Sequence, residues 1–213
     1  YPTGTMERVD QDGQIATAAT LAKMVSNVPM TLSGPAQIIL FDIHALQERF
    51  YFSDQVIPRL ESGVPLVRDK LHLLKHPAVA FPDEGALKRF GKWFDAYPHI
   101  VCHKVREGSQ RKISIREGRA ANRHVVIVDD LAMSGGTLLE CRRALRESGA
   151  RAVSAYVTHA VFPQDAWRNF TQAGFERFWV TDSVPGQAAV LAGQPPFEVL
   201  SLDTTIAALL TAS

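Results

Sequence analysis

Short apolar runs alternate along the chain with longer stretches whose apolar residues recur every three or four positions. The runs at 37–41, 77–81, 99–105, 124–128, 152–162, 176–181 and 197–202 predict strands. Helices are predicted over 16–27, 84–95, 137–148, 163–174 and 204–210. In the third of these, Leu138, Cys141 and Leu145 fall on one face, and Gly149 is a natural stop. Strands alternating with helices imply an α/β fold, a parallel sheet with helices on both faces. Turn residues interrupt the pattern in "ESGVPL", 61–66, and place a soft boundary there. The stretch 1–63 is too short for a complete α/β domain and reads as the tail end of one, while 64–213 is long enough for a whole one. One polar, basic segment, 104–123, leaves the alternation. It reads equally as a solvated loop or exposed hairpin, or as a flap over a polyphosphate.

Three of the apolar runs end in ionisable residues: Asp42 and His44 after the first, Asp83 and Glu84 after the second, Asp129 and Asp130 after the fourth. In a parallel sheet these ends share the carboxyl edge, where open α/β sheets bind ligands. After the aspartate pair come Ser134, Gly135, Gly136 and Thr137, leading into a helix. Unpaired backbone N–H groups and the positive end of the helix dipole suit a phosphate monoester there. The lysine of a Walker loop is missing. Two adjacent carboxylates repel unless sugar hydroxyls or a cation compensate them. Asp83 is both an N-cap for the following helix and, with His44, a candidate Mg²⁺ ligand. A lone histidine is more often a satisfied core or surface residue. Lys104 and Arg106, two positions apart on an extended run, are placed to grip phosphates, or else belong to a solvated charge run. Arg8 sits in a turn-rich polar stretch as a nucleotide contact or a plain surface residue.

The bulk numbers narrow the classes. Apolar residues make up 46% of the 213, enough for a sizeable core. A net charge of +1 gives no broad basic surface for nucleic acid. No apolar run is long enough to span a bilayer. Two cysteines, Cys102 and Cys141, read as reduced core thiols, which fits the cytoplasm or an organelle stroma. The first residue is Tyr1, so the chain reads as lacking its natural start, and any targeting segment would lie upstream.

Taken together, YPTGTMERV, FDIHALQERFYF, VAFPDEGALKRF, HKVREG, VVIVDDLAMSGGT and THAVFP resemble one family over essentially the whole chain. It is ribose-phosphate diphosphokinase, or phosphoribosyl pyrophosphate (PRPP) synthetase, in its plant-type, phosphate-independent branch. The resemblance implies two tandem domains of the type I phosphoribosyltransferase fold, the first incomplete. It implies transfer of a diphosphoryl group from ATP to the C1 hydroxyl of ribose 5-phosphate, giving PRPP and AMP with Mg²⁺. It makes Lys104 and Arg106 the catalytic pair on a flap, and gives His44, beside the nucleotide, a catalytic part as well. Asp129 and Asp130 would hold the ribose hydroxyls, Ser134 to Thr137 the 5-phosphate. Arg8 and His44 would contact ATP, and Asp42, His44 and Asp83 the metal. It also implies a homo-oligomer. Met133 stands where many members carry a third acid, so the sugar grip is less acidic here. Two rivals share part of the pattern. A PRPP-consuming phosphoribosyltransferase needs only the DD…SGGT loop, and a regulatory paralogue would bind without catalysing.

Overall fold

The structure is a computed structural model that describes residues 6, 12–13, 16–107 and 110–211; of 105–111 it describes at most the backbone. Arg8 lies outside the described residues. The chain divides into two units, Tyr1–Ser62 and Gly63–Ser213.

In the first unit, α1 (Ala18–Val25) precedes a two-stranded parallel sheet of β1 (Ala36–Phe41) and β2 (Val56–Glu61). Ala22, Leu40, Ile43, Phe52 and Val56 form its small core. The buried Ser26 hydroxyl donates to the Ala22 carbonyl at 2.7 Å and accepts from the Ser53 N–H at 3.0 Å, tying α1 to the approach of β2. The sequence pattern gives no sign of β2, because VIPRLE neither alternates nor runs apolar and carries Pro58, a residue that removes a ladder donor.

The second unit is built on seven strands in the order β5-β4-β3-β6-β7-β8-β9. They are β3 (Pro77–Phe81), β4 (His99–Glu107), β5 (Gln110–Glu117), β6 (His124–Ala132), β7 (Ala152–Ala160), β8 (Phe178–Thr181) and β9 (Phe197–Leu200). All neighbours pair in parallel except β4 with β5, which form an antiparallel hairpin. That hairpin takes up most of the basic segment, whose backbone is strand rather than loop, and Ile113 of β5 packs into the core.

The helices of this unit are α2 (Val64–Leu71), α3 (Glu84–Phe90), α4 (Gly136–Glu147), α5 (Arg168–Thr171), α6 (Pro185–Leu191) and α7 (Asp203–Thr211). Both sheet faces are covered. Ala78, Ala80, Val125 and Ile127 join a core with Leu138, Cys141 and Leu145 of α4 and an aromatic group that includes Phe162, Phe170 and Phe178. The alternate residues Val79, Phe81, Val126 and Val128 join a second core with Val67 and Leu71 of α2 and Phe90 of α3. Burial on both faces is why these strands read as unbroken apolar runs rather than alternating ones. Cys102 on β4 and Cys141 on α4 are free and buried, their sulfurs 3.3 Å apart.

Several predicted elements need correction. The helix expected at 163–174 is a short 3-10 turn at Pro163–Asp165 followed by the four residues of α5. Left-handed backbone at Phe162 and Gln164 breaks it, while the aromatic side chains of Phe162, Trp167 and Phe170 are drawn into the core. The helix at 84–95 is α3 continued as a 3-10 turn from Gly91. Two helices, α2 and α6, escape the pattern because Pro65 and Pro185 read as turn signals; each sits in a first turn, where proline is tolerated.

Where β5 ends, Gly118 has φ +90°, and a Cβ there would overlap the carbonyl oxygen of His99 and stand 2.9 Å from Ile100 Cα. Backbone on both sides cannot give way. Gly118→Ala should therefore lower unfolding free energy by about 2–4 kcal/mol, read by chemical denaturation.

Candidate active site

β6 does not stop at Val128. Its ladder with β7 continues through Asp129 opposite Val157 to Ala132 opposite Ala160, so both aspartates are strand residues. Main-chain pairing keeps the polar end of the run extended. Asp130 is 1% exposed, whereas about a fifth of the Asp129 side chain is exposed. The compensating cation that sequence reasoning missed is Arg89, in the last turn of α3. Its Nη2 lies 2.9 Å from Asp130 Oδ1 and 3.5 Å from Asp129 Oδ1. Asp129 Oδ1 also accepts the Asp130 backbone N–H at 3.0 Å. Burial weakens the Arg89 charge, but its hydrogen bond to Asp130 and the charges of Asp130, Asp129 and Asp83 outweigh that, and the guanidinium is held more firmly protonated than usual. The Asp129 carboxyl is pushed well above the usual range, first by burial and then by the charge and hydrogen bond of Asp130, with Arg89 pulling the other way. The sequence signals that adjacent acids need a compensating cation, but nothing in it singles out Arg89, whose contact lies 40 and 41 residues away.

Asp83 caps α3, its Oδ1 accepting from the Ala86 N–H at 3.0 Å. Glu84 beside it pairs with Arg116 of the β4–β5 hairpin. Thus Asp83, Asp129, Asp130 and Arg89 gather at the carboxyl ends of β3 and β6. β4 runs parallel to β3, with Val101 opposite Phe81, so Lys104 lies further toward the same edge and is exposed. Arg106 is placed by its backbone in the same strand, opposite Arg111.

The loop after β6 carries half-buried Met133 and exposed Ser134 before α4 begins. No side chain caps this twelve-residue helix, so its first N–H groups are not satisfied by a capping residue. Gly135 is left-handed at φ +81°, and a Cβ there would overlap the Phe170 ring. Its missing side chain therefore serves packing as well as the turn. Gly136 faces open space, and Thr137 is half-buried.

In the first unit, Asp42 follows β1 with a left-handed φ of +41°; its N–H donates to the Glu61 carbonyl at 2.9 Å and its Oδ1 accepts from Ser62 Oγ at 2.6 Å. His44 is half-buried two residues on. Among the described residues, no three His, Cys, Asp or Glu side chains cluster as a ready metal cage.

The phosphoribosyl transferase domain family matches residues 101–170, from β4 to α5. Ribose-phosphate pyrophosphokinase 4 of Oryza sativa subsp. japonica is 50% identical over 217 residues, covering 97% of this chain and 67% of its own length. The chain belongs to the ribose-phosphate pyrophosphokinase family. Other members are similarly near. Ribose-phosphate pyrophosphokinase 4 of Arabidopsis thaliana is 51% identical over 97% of this chain and 64% of its own. The mitochondrial ribose-phosphate pyrophosphokinase 3 of Spinacia oleracea is 50% identical over 99% and 54%. The chain thus spans between about half and two thirds of the length of these members. The crystal structure of phosphoribosylpyrophosphate synthetase from Mycobacterium smegmatis shares the fold, with TM-score 0.77 and 21% identity over 100% of this chain and 68% of its own.

Two outcomes follow for this family member's acid pair. Arg89→Leu removes the cation 2.9 Å from the buried Asp130 carboxylate and should cost about 3–5 kcal/mol in unfolding free energy. Asp129 has its folded-state pKa raised, so the folded protein binds more protons than the unfolded one above the ordinary carboxylate range, and stability falls as pH rises through that window. Asp129→Asn should raise the melting temperature at neutral pH, with the gain fading as pH falls toward 4, about the unfolded aspartate's pKa. Thermal melts across pH check both.

Proposed function

We propose that the chain carries the diphosphoryl-transfer machinery of a PRPP synthetase, moving the diphosphoryl group of ATP to the C1 hydroxyl of ribose 5-phosphate. The observation that carries this reading is a carboxylate pair on β6 leading straight into the uncapped amino end of α4, in a chain about half identical to ribose-phosphate pyrophosphokinases over nearly its full length. Amide groups from Ser134 to Thr137 would take the 5-phosphate, since a helix amino end favours an anion. Asp129, the more exposed acid, would accept from ribose hydroxyls. Asp130, buried against Arg89, would hold Asp129 and the loop in place.

The C1 oxygen attacks the β-phosphorus, a new O–P bond forms, the bond to the α-phosphoryl oxygen breaks, and AMP leaves as the hydroxyl proton departs. Such chemistry needs positioning and charge neutralisation above all. Lys104 and Arg106 on the β4–β5 hairpin would supply the cations, and the hairpin would exclude water as it closes. His44 and Asp42 would serve the nucleotide end, and Arg8 belongs to that role by sequence only. The donor set suits Mg²⁺, which takes one or two carboxylates, such as Asp83, and completes its shell with phosphate oxygens and water. When bound, the ion screens the polyphosphate charge. We also assign 1–63 and 64–213 to tandem phosphoribosyltransferase-like domains and expect a homo-oligomer. No helix among the described residues is long and apolar enough to cross a membrane, and we place the protein in the cytoplasm or an organelle stroma.

The test is AMP formation dependent on ribose 5-phosphate, measured on the full-length natural polypeptide. A PRPP-consuming transferase would form no such AMP. A regulatory paralogue would be silent alone yet change a partner's rate. In the active protein, Lys104→Ala should lower kcat by about 10²- to 10⁴-fold with ribose 5-phosphate affinity little changed. An unaltered kcat would remove the lysine from the mechanism.

A further inference from the structure

The opposite edge of the large sheet holds a polar cavity. β3, β6, β7 and β8 are parallel, so their amino ends lie together, at the far end of these strands from the acid pair. There a pocket of about 350 Å³ is lined by Leu73, Lys75, His124, Arg151, Glu176 and Arg177 among others. Four separate segments bring these residues in: the turn before β3, the first residue of β6, the residue before β7, and the two before β8.

The charges are uneven. Arg177 donates to Glu198 at 3.2 Å and is compensated there. Lys75 and Arg151 have no carboxylate partner among the described residues, and Glu176 forms no ion pair among them. His124 Nε2 lies 2.8 Å from the hydroxyl of the fully buried Ser154, which fixes the ring. If that nitrogen accepts, Nδ1 carries the proton and is a donor for a ligand. The His124 imidazole is held below its ordinary range first by burial, then by the nearby Arg177 and Arg151 against the opposing Glu176. Lys75, Arg151, Arg177 and Glu176 are all exposed, so water screens them from one another, and an anion entering the pocket meets more cations than carboxylates. The volume exceeds what a bare phosphate fills, and the Glu176 carboxylate in the lining can accept a hydrogen bond from a hydroxyl.

We propose that this amino-edge pocket is a second binding site, taking a small hydroxylated phosphate monoester whose phosphate meets Lys75, Arg151 and His124 and whose hydroxyl donates to Glu176. The site is independent of the catalytic reading, because no residue in it belongs to the carboxyl edge.

The experiment follows the His124 imidazole signal by NMR while glycerol 3-phosphate, and separately inorganic phosphate, is added. Loop binding at the other edge is monitored in parallel through Gly136 and Thr137 amide signals. Glycerol 3-phosphate should shift His124 and raise its pKa. The exposed-site variant Lys75→Ala/Arg151→Ala should weaken that response about tenfold or more, a loss of one strong charge-assisted contact or better, and leave the Gly136 signal's response intact. Glu176→Ala should erase the preference for glycerol 3-phosphate over inorganic phosphate. A His124 signal unmoved into the tens of millimolar, or a response equal in the double variant, would overturn the site. Equal affinity for the two probes in the unaltered protein would overturn the ester specificity. Failure of the loop signals to respond would count against the catalytic reading alone.

Discussion

The Arg89 guanidinium, bridging two neighbouring carboxylates, is the contact on which the carboxyl edge of the sheet depends. Adjacent strand residues normally point to opposite faces, so Asp129 and Asp130 need not share surroundings. Here one cation reaches both, at 3.5 and 2.9 Å, and feels Asp83 as well. Without it, the buried charge of Asp130 would lose the cation 2.9 Å away, at a cost of several kcal/mol. With it, β6 can carry its ladder past the apolar run and deliver the loop before α4 at a fixed height. Arg89 does not fully relieve the pair. Asp129 remains burdened by its neighbour, and its carboxyl is held well above the usual range. A group that is uncomfortable alone and comfortable when occupied is how a binding site stores selectivity.

How much of this was readable in the residues depended on whether one signal or two acted at a position. PAVAF and HVVIV are apolar throughout because both faces are packed, and the strand assignment there had no competitor. Asp83 as a helix cap was equally plain, since the cap is a local bond over three residues. Pro58, Pro65 and Pro185 misled because proline signals a turn, an edge strand and a first helical turn alike. The 163–174 segment misled in the other direction: its periodicity suits a helix, but the aromatic cluster of Phe162, Phe170, Phe175 and Phe178 decides the backbone through tertiary packing. Arg89 escaped because its role is fixed by a contact 40 and 41 residues away, between Arg89 and the Asp129–Asp130 pair, and helical spacing carries no trace of that.

Gly135 shows how the two kinds of signal merge. In sequence, glycine before a helix suits close approach of an anion. In the structure the same absence of a side chain also admits the Phe170 ring, and the left-handed turn needs it as well. The loop before α4 is therefore packed from below against the aromatic core of the sheet. On the other side the neighbouring Gly136 is left open. Under the proposed function, packing from beneath and open space above would lower the ordering cost of binding at these amides.

The parallel sheet sorts charge by edge. Its carboxyl edge gathers acids around one arginine, and beside them the β4–β5 hairpin carries basic residues. Its amino edge gathers cations around one carboxylate. Parallel strands make this separation possible, because every amino end lies on one side and every carboxyl end on the other. An antiparallel sheet would mix the two. The single antiparallel pair, β4 with β5, sits at the sheet margin, where it disturbs neither edge and extends the basic segment beyond the packed strands. The same topology that buries the central strands on both faces therefore leaves their ends as the places where uncompensated charge can persist, and that is where this chain keeps its polar chemistry.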